Sequence, residues 1–159
     1  MDKIRVTERG RKILLDRQAE VEKKLRVVLS QKGVAYADGG NGWHDNFAFE
    51  ELTRQEGILG KQLWEMSELI TQAIRTPVKQ ADNSHLSIGH IAVLEDDDGN
   101  VNRYEIVGYG ESDTTSIPPK IEYRAPIIIG FFGGVVGSEA DVKIAGKMKH
   151  LTLIEIMEV

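Results

Sequence analysis

The sequence predicts an α+β protein in which a long helical hairpin precedes a small, β-rich domain. Apolar residues in the first half repeat with a helical period, in two runs separated by a glycine-rich turn. The second half holds short β-rich segments separated by turn signals. Because a proline disfavours the helical conformation of the residue before it, Pro77 ends the helical half. We therefore assign residues 1–77 to the hairpin and residues 78–159 to the β-rich domain.

The first helix is predicted to begin at Thr7, a residue type that caps helix N-termini, with Glu8 in the first turn. Behind the cap, positions spaced alternately four and three residues apart form a coiled-coil seam in which one member is polar. The seam residues are Leu14, Gln18, Val21, Leu25 and Val28. The pattern fades near Gly33, where we expect the helix to end.

The second helix is predicted from a seam with the same alternating spacing. Its members are Leu59, Leu63, Met66, Ile70 and Ala73. At about 1.5 Å per residue, helices of roughly 24 and 30 residues make a rod of about 35 to 45 Å. Neither helix can bury its apolar stripe alone, and the link between them is short, so we expect antiparallel neighbours.

The second half is predicted to form a small, mostly antiparallel sheet. Turn signals such as Asp98-Gly99-Asn100 separate the β-rich segments. The predicted strands are residues 88–94, 103–107, 127–132, 141–144 and 151–159. One helical turn is expected around residues 131–135.

Composition excludes several classes of protein. The chain has no cysteine, which excludes disulfides, thiolate metal sites and cysteine nucleophiles. The N-terminus lacks the apolar core of a signal peptide, and no run approaches the ~20 apolar residues of a membrane span. We therefore expect a cytoplasmic protein without membrane contact.

The net charge of −5 conceals an uneven distribution along the chain. Residues 1–32 carry ten Lys and Arg against five Asp and Glu, whereas residues 77–159 carry seven against thirteen. The basic first helix either lies near nucleic acid phosphates or presents a solvated face. The chain as a whole is more acidic than a typical DNA-binding domain.

The turn between the helices, residues 38–50, is rich in glycine and carries acidic residues. A hairpin turn needs no carboxylates to close, so these acids indicate a function at the tip. Asp45 either binds a metal ion or caps the second helix. Trp43 is expected to contact a partner, whereas Phe47 and Phe49 are expected to pack against the end of the hairpin.

Several segments resemble the bacterial GreA/GreB (Gre) family of transcript cleavage factors. Residues 104–108, Tyr-Glu-Ile-Val-Gly, resemble the family's Tyr-x-Ile-Val-Gly strand. Ala125-Pro126, followed by Phe131-Phe132-Gly133 and Gly137, has the spacing of the family's Ser-Pro…Leu-Leu-Gly-x-x-x-Gly segment. The opening Val6-Thr7-x-x-Gly10 and the tip pair Asp45-Asn46 also fit, so the resemblance covers nearly the whole chain.

The resemblance implies a transcription elongation factor with an FKBP-like C-terminal domain. A Gre factor binds RNA polymerase with that domain, here through Ala125 and Pro126, and inserts its hairpin into the secondary channel. It stimulates the polymerase's own cleavage of backtracked RNA and is not itself an enzyme. The family further implies no stably bound cofactor, indirect contact with nascent RNA, and a monomer.

The resemblance also implies roles for the tip residues. Tip carboxylates, here Asp45 with Asp38 as the nearest upstream acid, help to hold a Mg²⁺ ion that the polymerase binds weakly, as in two-metal hydrolysis. The predicted tip contacts are Trp43, His44, Asn46 and Glu50. The family tip has two acids three residues apart, and the first of these positions falls on Gly42. Two functions therefore stay open, a cleavage factor and a regulator that occupies the same channel without activating cleavage.

Overall fold

The computed structural model describes residues 3–38, 47–78, 83–144 and 146–159. These ranges contain two helices and seven strands, which confirms the predicted α+β class. In chain order the elements are β1 (Arg5–Val6), α1 (Glu8–Asp38), α2 (Phe47–Gln72), β2 (Ile74–Arg75), β3 (His90–Asp96), β4 (Val101–Val107), β5 (Lys120–Glu122), β6 (Glu139–Ile144) and β7 (Lys147–Glu158).

The chain divides into two compact units, which we call the hairpin unit and the β unit. The hairpin unit is Lys12–Ala73, and the β unit joins Met1–Arg11 to Ile74–Val159. The first residues, which the sequence analysis assigns to the hairpin, lie in the β unit because β1 pairs in parallel with β2. Each of these strands has only two residues, too few to produce a period in the sequence.

Both predicted helices are present, and α1 is longer than its seam. Thr7 caps α1 as predicted, since its Oγ1 accepts a 3.0 Å hydrogen bond from the amide of Gly10. The predicted end near Gly33 is wrong, because α1 continues to Asp38. With 31 and 26 residues, α1 and α2 extend about 46 and 39 Å at ~1.5 Å per residue.

Contacts across the seam show that the two helices are antiparallel, as predicted. Gln18, the polar member of the first seam, donates a 2.8 Å hydrogen bond to Ser67 Oγ. Further along the hairpin, Lys32 forms an ion pair with Glu56. No residue of α2 is fully buried, because two helices cover only part of each other's apolar surface. Neither described helix combines the length and the apolarity needed to cross a membrane.

The β unit contains a five-stranded sheet in the order β5-β4-β3-β7-β6. The pairs β3–β4, β3–β7 and β6–β7 are antiparallel, as predicted. The prediction of a mostly antiparallel sheet is confirmed, with one exception at an edge, where β5 pairs in parallel with β4. The sheet is therefore mixed.

The predicted strand at residues 127–132 is a run of turns. The amides of Ile128 and Ile129 both donate to the carbonyl of Ala125, and those of Phe131 and Phe132 both donate to the carbonyl of Ile128. In such turns, residues three apart share a face, so Ile128 and Phe131 both enter the core and are fully buried. A short apolar run fits a buried strand or a turn of helix equally well, and here tertiary packing selected the turns.

Candidate functional site

Most of the predicted tip residues fall between the end of α1 and the start of α2 in the sequence. Trp43, His44, Asp45 and Asn46 lie outside the described residues. Asp38 is the last residue of α1, and its side chain is also outside the described part of the chain. In the sequence, residues 39–46 connect the end of α1 to the start of α2.

Glu50 is the predicted tip contact whose side chain is described. It is exposed in the first turn of α2 and makes no ion pair with any residue of the described ranges. Its neighbour Glu51 accepts hydrogen bonds of 2.6 and 2.8 Å from Arg54 and one of 2.9 Å from Gln55. These bonds, led by that from Arg54, lower the pKa of Glu51 from 4.5 to about 2. Glu51 is thus engaged within α2, whereas Glu50 is available to a partner.

An aromatic contact joins the helices next to the tip. The rings of Tyr36 and Phe49 lie 6.0 Å apart, and Lys32 Nζ lies 5.1 Å from the Phe49 ring centre. The predicted packing of Phe49 is confirmed, but that of Phe47 is wrong, since Phe47 is 79% exposed. Residues two apart on a helix point about 200° from each other, so the two rings cannot both face α1.

The predicted docking residues Ala125 and Pro126 begin the run of turns after β5. The Ala125 amide donates a 2.8 Å hydrogen bond to the Glu122 carbonyl. Pro126 is exposed. Because proline has no backbone N–H, the start of the turn has no unpaired donor at this position. A proline at the start of a strand, the alternative to docking, is excluded because turns follow it. Ile129, three residues on, is 58% exposed, so two apolar side chains of this run are open to solvent.

The acidic turn before the Tyr104–Gly108 strand has a structural role. Asp96 Oδ1 accepts the amides of Asn100 and Asp98 at 2.9 and 3.1 Å. Asp96 Oδ2 lies 2.6 Å from Lys149 Nζ. The hydrogen bond from Lys149, followed by those from Asn100, holds the pKa of Asp96 well below its usual range.

Sequence reasoning missed Glu111, a buried acid at the first motif. Thr7 Oγ1 donates a 2.6 Å hydrogen bond to Glu111 Oε1. The motif glycines Gly10 and Gly108 surround this carboxylate, and a Cβ at either would lie within 2.6 Å of Oε1. The space that the two glycines leave for Glu111 arises from tertiary packing. It produces no local sequence pattern, so Glu111 could not be predicted.

Among the residues the structure describes, no cluster of three or more His, Cys, Asp or Glu side chains is arranged to hold a metal ion. His150 has two acidic neighbours, with Nδ1 2.8 Å from Asp141 Oδ1 and Nε2 3.4 Å from Glu139 Oε2. The hydrogen bond to Asp141 raises the pKa of His150 above its usual value, which favours the protonated form that pairs with these acids.

Comparison with known proteins links the chain to transcription elongation factors. No protein-family model matches it. Transcription elongation factor GreA of Magnetococcus marinus is 23% identical over 143 residues, covering 89% of this chain and 87% of the relative. GreA of Maricaulis maris is 23% identical over 157 residues, covering 98% of each chain. GreA of Christiangramia forsetii is 25% identical over 113 residues, 70% of each. These relatives support the resemblance to the GreA/GreB family that the motifs predicted.

Two solved structures align with almost the whole chain. GreA factor homolog 1 of Thermus thermophilus is 14% identical, with coverage of 98% of this chain and 99% of the other and a TM-score of 0.43. The prokaryotic elongation factor GreA/GreB of Nitrosomonas europaea is 13% identical, with coverage of 98% and 99% and a TM-score of 0.42.

Proposed function

We propose that this chain, a relative of the GreA/GreB transcription elongation factors, acts on bacterial RNA polymerase. It inserts the hairpin unit into the secondary channel and stimulates cleavage of backtracked RNA. The observation that carries the proposal is the pair of long antiparallel helices, α1 and α2, whose connecting turn is acidic. Such a rod brings carboxylates to a recessed centre that a globular surface cannot reach. The protein would work as a monomer in the cytoplasm.

The proposed chemistry needs little from this chain beyond oxygen ligands. Mg²⁺ prefers carboxylate and water oxygens, and a site shared with RNA phosphates is completed by one or two carboxylates. Asp45, with Asp38 as a second acid, supplies ligands of this type to a Mg²⁺ of the polymerase. The polymerase provides the other metal ion and the catalytic centre, so this protein completes a site and contacts nascent RNA only indirectly.

Glu50 supports the tip assignment as an exposed acid in the first turn of α2. The positive end of the helix dipole favours a carboxylate there. Arg54 pairs with Glu51 and not with Glu50. We assign Trp43, His44, Asn46 and Glu50 to contacts with the polymerase or RNA around the ion. Ala125 and Pro126 are the proposed docking residues of the β unit.

A second function, inhibition without cleavage, is favoured by Gly42. This residue occupies the position of the family's first tip acid, and glycine has no side chain with which to bind a metal. A hairpin with only one ligand in place would occupy the channel and obstruct elongation. The same scaffold then acts as a regulator of polymerase.

Cleavage in stalled, backtracked elongation complexes distinguishes the two functions. We expect the protein to accelerate release of short 3′ RNA fragments at low Mg²⁺, and Asp45→Ala to abolish this while retaining polymerase binding. Glu51→Ala is the matched control, since that carboxylate is engaged by Arg54 and Gln55 and should not affect cleavage. Equal cleavage by Asp45→Ala and the parent would overturn the metal role. Slower cleavage with the parent bound would establish the regulator.

A further inference from the structure

The hairpin unit has an open apolar groove on one side, midway between its ends. Its volume is about 660 Å³. The floor is formed by Val28 of α1, which is buried, and Leu59 of α2. The remaining lining residues are Glu20, Lys23, Lys24, Val27, Gln31, Gln55 and Ile58. The groove lies wholly within the hairpin unit, and its lining includes none of residues 38–50.

Two of the lining residues are large apolar side chains that the hairpin leaves in water. Val27 is 50% exposed and Ile58 is 44% exposed, one on each helix. Apolar residues on both sides of a groove between two helices form the surface on which a third helix packs, at about 8 to 10 Å from each axis. A third helix on this surface would bury the apolar side chains that α1 and α2 leave exposed.

The α1 side of the groove is basic. Lys23 and Lys24 are exposed and form no ion pair with any residue in the described ranges. Two other cations of α1 are engaged, since Lys32 pairs with Glu56 and Arg26 lies 3.9 Å from Glu22. Glu20 is the acid of the lining, and the α2 side presents the neutral Gln55. With two exposed lysines against one exposed glutamate, the lining beside the apolar floor carries a net positive charge.

We propose that this groove binds an amphipathic helix of a protein partner, with apolar residues on the floor and acidic residues facing Lys23 and Lys24. From Glu20 to Gln31 the lining spans about 16 Å, or three helical turns, which matches apolar anchors at i, i+3 or i+4, and i+7. This surface is separate from the tip and from Pro126, so the inference does not depend on the action at the polymerase active centre.

A protein helix fits the groove better than two other occupants. Nucleic acid would satisfy the lysines but leave Val27 and Ile58 without apolar contacts. A second copy of this chain, packed groove to groove, would bring two pairs of unpaired lysines towards each other, which disfavours association. An acidic amphipathic helix would place its apolar face on the floor and its acidic residues beside Lys23 and Lys24.

The test uses the full chain and two stapled, fluorescent helical peptides of about three turns, stapled because isolated helices of this length are marginal in water. Both carry the same leucine stripe, one flanked by Glu and the other by Lys. Fluorescence anisotropy should show the acidic peptide binding at least about tenfold more tightly than the basic one. Ile58→Glu and Val27→Glu should each weaken this binding about tenfold or more. Lys23→Glu combined with Lys24→Glu should reverse the preference between peptides.

Leu29→Glu is the matched control, because Leu29 is a 45% exposed apolar residue of α1 that does not line the groove. It should bind the acidic peptide as the parent does, and circular dichroism should show unchanged helix in all variants. Absence of peptide binding, or equal binding of both peptides, overturns the proposal. Competition by an RNA oligonucleotide whose binding requires Ile58 would also overturn it. A dimer in sedimentation that Ile58→Glu dissociates would do the same.

Discussion

The hydroxyl of Thr7 donates a 2.6 Å hydrogen bond to Oε1 of Glu111, a residue 104 positions further along the chain. The same hydroxyl accepts the amide of Gly10 at 3.0 Å, so one side chain both caps α1 and satisfies a buried carboxylate. Gly108 allows the approach, since a Cβ there would lie 2.5 Å from Oε1 and 3.0 Å from the Thr7 amide nitrogen. Two motifs that are distant in sequence thus form one contact within the β unit.

Thr7→Val should lower the free energy of unfolding by about 2 to 4 kcal/mol. Valine keeps the volume but removes the cap, at about 1 kcal/mol, and leaves the buried Glu111 without its donor, at about 1 to 3 kcal/mol. Thr7→Ser is the control, because it retains both hydrogen bonds and loses only a methyl group, about 1 kcal/mol. Urea denaturation of the three proteins provides the comparison. Identical midpoints for the valine and serine variants would show that the hydroxyl contributes nothing.

His150 should make stability depend on pH from about pH 6.5 upwards. Its hydrogen bond to Asp141, aided by the charges of Asp141, Asp97 and Glu139, raises the pKa of His150 above 6.5. A raised pKa means that the folded state binds the proton more tightly. The stabilisation is therefore complete below about pH 6.5 and is lost as the pH rises through the higher folded value.

Thermal unfolding at several pH values measures this contribution of His150. His150→Gln should lower the melting temperature at pH 5.5 and have a smaller effect at pH 8.5. The control is His85→Gln, an exposed histidine whose described hydrogen bond is to Ser84 and not to a carboxylate. A His150→Gln effect that is equal at both pH values would contradict the ion-pair assignment.

Gly60→Ala should stabilise the hairpin unit by about 0.5 to 1 kcal/mol, because glycine in a helix interior is less favourable than alanine by that amount. Gly60 lies inside α2, and a Cβ built on it would meet nothing within 4 Å. Gly108→Ala is the contrasting variant and should destabilise the protein, since its Cβ would collide with Glu111 and a backbone atom. Urea denaturation should place the two midpoints on opposite sides of the parent's. A destabilised Gly60→Ala would show that close packing, and not only propensity, selects this glycine.

The parts of the fold that could be predicted from the sequence are those determined by local patterns. The seams through Leu14–Val28 and Leu59–Ala73 have a helical period, and Thr7 is a cap by residue type, so α1 and α2 were predictable. The run at residues 127–132 was not, because its apolar residues fit a strand as well as turns. Only the core, which takes Ile128 and Phe131 from one face, distinguishes them.

The candidate site divides in the same way. The acidic residues between the two helices, and Pro126 as a docking residue, could be proposed from spacing and from the family resemblance. Glu111 could not, because its role comes from a contact with Thr7 that no local pattern encodes. The groove beside Val27 and Ile58 was also unpredictable, since it depends on how deeply two helices bury each other's side chains.

Pro126→Glu should weaken binding to bacterial RNA polymerase if the apolar surface of Pro126 and Ile129 is the docking surface of the β unit. A charge placed in an apolar contact loses its hydration without gaining a partner, so we expect at least about a tenfold loss of affinity. The control is Ile117→Glu, because Ile117 is 99% exposed in another loop of the β unit and should tolerate the charge. Affinity is measured with labelled protein and purified polymerase. If both variants bind as the parent does, the docking assignment is wrong, and if both bind equally weakly, the effect is one of charge alone.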